Sequence, residues 1–223
     1  MERSVVSLET MAELVLKFGF LPLLKNDIPG FSVEEHTPRE YWFAEDRDGP
    51  WEWKGPVIQR TGCAYGKFFG GKAGFITREW YPDFANYRRD GYDFDARFED
   101  GLASMGDKLT YDILESCGSL LSGEWKKAGG FGKHGRKGFD TILTRLQMQG
   151  YVVTTDFEYR HDANGRRYGW GVGRYSTPEA HFGTEFTDKV YARTPEESGQ
   201  RLMEYLSSLL PELSPQQMKK LIR

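Results

Sequence analysis

Two sets of residues in this 223-residue chain are of the kinds that bind a polyanion. Positions 125–168 hold nine cations against four carboxylates, while positions 83–112 hold four cations against eight. The whole chain carries a formal charge of −3, which excludes wholesale coating of nucleic acid and leaves one concentrated basic segment. Lys133, Arg136, Lys137, Arg145, Arg166 and Arg167 are its candidate phosphate contacts. A solvated basic face explains the same run without a ligand. The second set is aromatic, with ten rings between Trp51 and Tyr87, punctuated by glycines. Trp51, Trp53, Tyr65 and Phe69, with Lys54, Lys67 and Lys72 among them, have the chemistry of a pocket wall that stacks on an unpaired or flipped base. An aromatic core packing a small sheet accounts for the same rings more simply.

Other chemistries lack their spacing. His36, His134, His161 and His181 form no HExxH or comparable ligand pattern and read as surface residues. Cys63 and Cys117 make no CxxC pair and read as buried free thiols. Gly66–Lys72 has neither the spacing nor the Ser/Thr of a phosphate-binding loop, and Gly-x-Ser-x-Gly does not occur. Asp90, Asp93 and Asp95 lack the central glycine and terminal glutamate of a calcium loop, and ion pairs with Arg88, Arg89 and Arg97 explain them. Neither a metal nor a cofactor is expected.

The elements that must present the basic segment form a familiar order. Asp107–Cys117 and Leu120–Ala128 read as short helices. Phe139–Met148 is a third, with Phe139, Ile142, Leu143 and Leu146 on one face and Gly150 as its stop. Tyr151–Tyr159 and Tyr168–Tyr175 are strands joined through Asp162-Ala163-Asn164-Gly165. Three helices and a hairpin make a winged helix-turn-helix, whose third helix enters the major groove while the hairpin lies on the backbone or minor groove.

Around that unit, Ser7 opens a helix to Phe18, and Phe20–Leu24 continues extended. Thr37-Pro38-Arg39-Glu40 reads as a capping box starting a short helix. Val57–Arg60 and Tyr65–Phe69 read as strands, with Gly70-Gly71 as a tight loop. Ser176–Glu179 starts a turn of helix, Thr194–Glu197 opens a helix running to Leu210, and Gln216–Ile222 is the last helix. The expected fold is α+β, in three parts: an aromatic- and Gly-rich α/β region at 1–100, the winged helix-turn-helix at 101–178, and a C-terminal helical hairpin at 179–223 packing on the body. No apolar run approaches membrane-spanning length and no leader pattern opens the chain, so a soluble cytoplasmic protein without a membrane partner is expected.

Several longer stretches carry a family resemblance. Gly19-Phe20-Leu21-Pro22, Ile28-Pro29-Gly30-Phe31-Ser32, Trp51–Pro56, AYGKFFGGKAGF at 64–75, DFANYRRDGYDFD at 83–95, Arg145–Gln149 and Tyr168–Gly171 resemble the AlkZ-related family, compact bacterial and archaeal relatives of the AlkZ/YcaQ-type DNA glycosylases. The resemblance implies double-stranded, damaged DNA as partner and excision of alkylated or crosslinked bases as activity. It also implies catalytic roles for Gln147 and Gln149, which match the Gln-x-Gln form of the motif used by the larger, tandem winged-helix enzymes. An alkylated purine is already cationic and leaves readily, so a neutral glutamine pair that orients water at C1′ suffices chemically. Side chains at i and i+2 of a helix point about 200° apart, so these two converge only if Gln149 lies past the helix end. A non-catalytic DNA-binding protein and a protein-interaction winged helix remain the alternatives.

Overall fold

Capping chemistry written in the sequence starts most of the long helices. In the computed structural model, which describes residues 4–42, 47–165 and 167–222, Ser7 accepts the Thr10 N–H at the head of α1 (Leu8–Phe18). Strand β1 (Phe20–Pro22) and a single turn, α2 (Val33–His36), follow. Helix α3 (Pro50–Thr61) leads into the hairpin β2 (Ala64–Phe69) and β3 (Lys72–Ile76). Next come α4 (Tyr81–Arg89), α5 (Phe94–Glu99) and α6 (Met105–Cys117), whose Ser104 and Asp107 form a capping box. Strand β4 (Ser119–Leu121), α7 (Ser122–Ala128), α8 (Phe139–Met148), β5 (Val153–His161) and β6 (Arg167–Ser176) complete the middle of the chain. Helices α9 (Pro178–Phe182), α10 (Thr184–Val190), α11 (Pro195–Leu209) and α12 (Pro215–Ile222) close it.

The fold is α+β, with one antiparallel sheet in the order β1-β3-β2-β5-β6-β4. Two apolar clusters share this sheet. The larger joins α1, α3, α4, α10, α11 and α12 to β1–β3. The smaller gathers Phe94, Tyr111, Leu114, Trp125, Phe139, Leu143, Leu146 and Tyr151. Val152 belongs to the smaller cluster and Val153 to the larger. Successive residues of an extended chain point to opposite faces, so the entry to β5 is a wall between the two cores.

Four local expectations are corrected. Val57–Arg60 is helical, inside α3, because Gly49 starts a helix with Pro50 in its first turn and Glu52 accepting the Gly49 N–H at 3.1 Å. Thr37 caps no helix: its hydroxyl donates back to Val33 O at 2.7 Å, and only a 3-10 turn at Arg39–Tyr41 follows. Leu120 and Leu121 lie in β4, paired with Tyr175 and Arg174 of β6, rather than opening a helix. Cys63 is a buried free thiol, whereas Cys117 is exposed.

Buried polar groups join the helices. Asp83 on α4, 4% exposed, accepts from Ser198 Oγ at 2.9 Å and Arg201 Nε at 3.0 Å, fastening α11. Arg89, 1% exposed, donates to Glu179 Oε1 (2.7 Å), Tyr191 Oη (2.9 Å) and Gly150 O (2.9 Å), and lies over the Tyr151 and Phe186 rings. Those two rings belong to different cores. On α3, the Lys54 ammonium donates to Trp51 O and sits 4.3 Å from the Phe157 ring centroid, at 6% exposure. Burial lowers its pKa from 10.5 to about 8.

Two predictions follow from these groups. Arg89→Met keeps the aliphatic volume but strands Glu179 and Gly150 O, and is expected to cost about 3 kcal/mol, read from urea midpoints. Below pH 8 Lys54 is charged in folded and unfolded chains alike, and its burial penalty is fully present. Between about 8 and 10.5 only the unfolded chain holds the proton, so stability attributable to this site rises with pH. Lys54→Met is therefore expected to raise the thermal midpoint more at about pH 7 than at about pH 10.

Candidate nucleic-acid interface

A cleft of about 920 Å³ opens between the end of α4 and the outer face of α8. Helix α8 turns Phe139, Ile142, Leu143 and Leu146 inward, which leaves Thr141, Thr144, Arg145 and Met148 to line the cleft. Lys67 enters from β2, and Tyr87, Arg88, Asp90 and Arg97 from the α4–α5 side. Four cations stand against two carboxylates, Asp90 and Asp140, and Asp140 already pairs with Lys126 at 3.1 Å. Arg88 spends its donors on main-chain carbonyls of Phe68, Met148, Leu221 and Ile222, so no carboxylate cancels its charge. Burial lowers its pKa to about 10, which leaves the guanidinium charged at neutral pH. The cleft is a cationic surface between α4 and α8.

The position of Lys67 is set with unusual completeness. Strand β2 pairs with β5 only at Tyr65–Thr154, and its pairing with β3 slips between Gly66 and Phe69. The Lys67 N–H, released from the ladder, donates to Gln147 Oε1 at 3.2 Å. Gln147 in turn donates from Nε2 to Thr154 Oγ1 at 3.0 Å. One turn earlier on α8, Thr144 Oγ1 accepts from Lys67 Nζ at 2.9 Å while donating to Asp140 O at 2.7 Å. Gly66 makes the approach possible, since a Cβ there would lie 3.2 Å from Gln147 Nε2 and 2.8 Å from the Phe68 ring.

The residues singled out in the sequence are distributed unequally. Gln147 is 2% exposed and occupied on both amide atoms, facing the sheet. Gln149 has helical backbone angles and lines the cleft. Gln149 follows the last residue of α8 yet keeps helical angles, so the two side chains diverge, Gln147 toward the sheet and Gln149 toward the cleft. Arg145 lines the cleft and is held by Asp107 at 2.5 Å. Arg136 folds inward, donating to Gly129 O and Gly106 O over the Phe131 ring. Lys137 Nζ donates to Gly132 O and Lys133 O, Lys133 is exposed, and Arg167 pairs with Asp48. Arg166 lies outside the described residues.

The aromatic residues of the expected base-stacking wall lie mainly in the core. Trp53, Tyr65 and Phe69 are between 5% and 9% exposed and belong to the main core, with Trp51 packed against it. Tyr65 spends its ring on Phe75 and Phe157. Among the described residues Trp170 on β6 is the most exposed of the large rings, 74% accessible and edge-on to Trp51. The arginines of α4 and α5 do not pair with their neighbouring aspartates as expected. Asp93 caps α5, Asp95 meets Lys108 at 3.0 Å, and Arg97 donates to Arg89 O. Arg88, Arg97 and Thr144 carry no local signal that marks them as cleft residues, whereas Lys67 stood out only as a cation among rings.

Among the described residues no group of His, Cys, Asp and Glu is placed to hold a metal ion, and no helix is long and apolar enough to cross a membrane. No match was found among curated proteins or among solved structures. A family model described as AlkZ related matches residues 5–223, essentially the whole chain. With that coverage, the chain belongs to the AlkZ-related family.

Proposed function

We propose that the protein binds damaged double-stranded DNA and releases an alkylated base from it by hydrolysis of the N-glycosidic bond. Family membership supports the repair setting. The observation that carries the reading is the cationic cleft along the outer face of α8. In this reading α6, β4, α7, α8, β5 and β6 are a winged helix-turn-helix at 101–178. Its helix–strand–helix–helix–strand–strand order and the pairing of β4 with β6 support that assignment. Lys133, Lys137 and Arg145 contact phosphates at one end, and Arg167 does so from the hairpin.

Gln149 faces the cleft, where it orients water toward C1′ of a sugar that develops oxocarbenium character. Gln147 is a positioning residue that holds Lys67 and β5 together. A second reading, DNA binding without chemistry, is favoured by the internal engagement of Gln147.

Duplex binding measured against salt separates these readings from a protein-interaction role. Lys133→Ala, Lys137→Ala and Arg145→Ala are each expected to weaken binding and to flatten the log–log salt slope by about one. Unchanged affinity and slope in all three removes the groove assignment. On duplex containing N7- and N3-alkylated purines, Gln149→Ala should lower base release by about a hundredfold with binding retained. Release at the wild-type rate excludes the role given to Gln149, and no release by the wild-type chain leaves the binding reading alone.

A further inference from the structure

Lys67 is held more completely than a phosphate contact requires. Gln147 fixes its main chain and Thr144 its amine, from residues one turn apart on the same helix. The Thr144 hydroxyl hydrogen is committed to Asp140 O, so its oxygen is left to accept from Nζ. No carboxylate among the described residues pairs with Lys67, and the residue lines the cleft. The other cations lining the cleft are arginines, which stay protonated and do not act as nucleophiles.

Across the same cleft Asp90 is the one non-glycine residue among those described with a left-handed backbone, φ 56°. Its carboxylate makes no hydrogen bond or ion pair among the described residues. It is the left-handed cap that ends α4 and is exposed, so its carboxylate is accessible to a group bound in the cleft.

We propose that this cleft carries a second activity, cleavage of DNA at abasic sites, with Lys67 as the attacking amine and Asp90 as the base. The inference rests on the cleft facing DNA, as argued above. The Lys67 ammonium gives one proton to solvent, Nζ adds to the C1′ aldehyde of the ring-opened sugar, and the carbinolamine hydroxyl takes a proton from solvent and leaves as water, giving an iminium. Asp90 takes the C2′ proton, and the C–H electron pair forms the C1′–C2′ enamine. Collapse of the enamine makes the C2′–C3′ double bond and breaks C3′–O3′, expelling the phosphate monoester of the adjoining strand. Water then hydrolyses the iminium, returning the amine and releasing an unsaturated aldehyde. Nothing is oxidised or reduced.

The test uses the full chain, a duplex with one abasic site, and borohydride, which reduces the iminium to a stable covalent adduct. Wild type is expected to give the adduct, with peptide mapping placing it on Lys67. Lys67→Arg should abolish it, and Lys72→Ala, outside the cleft, should leave it unchanged. Asp90→Asn keeps a residue suited to the left-handed backbone; it should retain the adduct but slow strand cleavage about a hundredfold. Anisotropy on a duplex with a non-reactive abasic analogue reports binding separately. Binding without an adduct, or an adduct mapped to another residue, overturns the proposal while leaving the DNA-facing cleft intact. Absence of binding overturns both.

Discussion

The relation of α4 to α8 depends on one guanidinium buried between two hydrophobic cores. Arg89 ends α4, reaches Gly150 O just beyond α8, and binds Glu179 on α9 and Tyr191 just past α10. Gly150 itself packs against the α4 backbone, where a Cβ would come within 3.2 Å of Ala85 Cα. A charge so enclosed is tolerable only with its partners in place, because an unpaired buried ion loses its hydration without compensation. The arrangement is therefore nearly all-or-none, and it holds open the space between the two helices that becomes the cleft. Residues 88 and 90, on either side of Arg89, line that space.

The electrostatics of the basic segment are more economical than its composition suggests. Several of its cations are engaged by the fold: Arg136 by carbonyls of its own loop and of α6, Arg145 by Asp107, Arg167 by Asp48, and Lys126 by Asp140. The exposed pairs Arg167–Asp48 and Lys126–Asp140 contribute little to stability, whereas Asp107 is buried under Arg145. The paired carboxylates also orient the long side chains before a ligand arrives, lowering the entropy lost on binding. Meanwhile cations from the acidic stretch, Arg88 and Arg97, are delivered to the same cleft by the turn from α4 into α5.

Gln147 shows how a residue of suggestive identity is claimed by the backbone. Where β2 parts from β5, an N–H and a hydroxyl are left without ladder partners, and burying them unsatisfied would be costly. One primary amide supplies an acceptor and a donor at the required separation, and the glycine at 66 admits it. The aromatic stretch follows the same logic: most of its rings fill the space between sheet and helices and so cannot stack on a ligand.

Local chemistry in the chain determined much of this protein. The caps at Ser7 and Thr194, the inward stripe of α8, the β2–β3 hairpin around Gly70-Gly71 and the final helices all follow from nearest-neighbour rules. The concentration of charge in 125–168 is likewise a property of composition alone. Tertiary structure decided the rest. Val57–Arg60 became helical because a helix start at Gly49 and burial against β5 outweigh β-branched propensity. Which of two glutamines two residues apart faces the cleft was decided by how α8 packs on β2 and β5, which take up Gln147. Lys67, Asp90, Arg97 and Arg145 meet only because strand pairing and one buried arginine bring distant segments together. Spacing along a chain records periodicity, but a cleft is made by non-local contacts that no window of sequence contains.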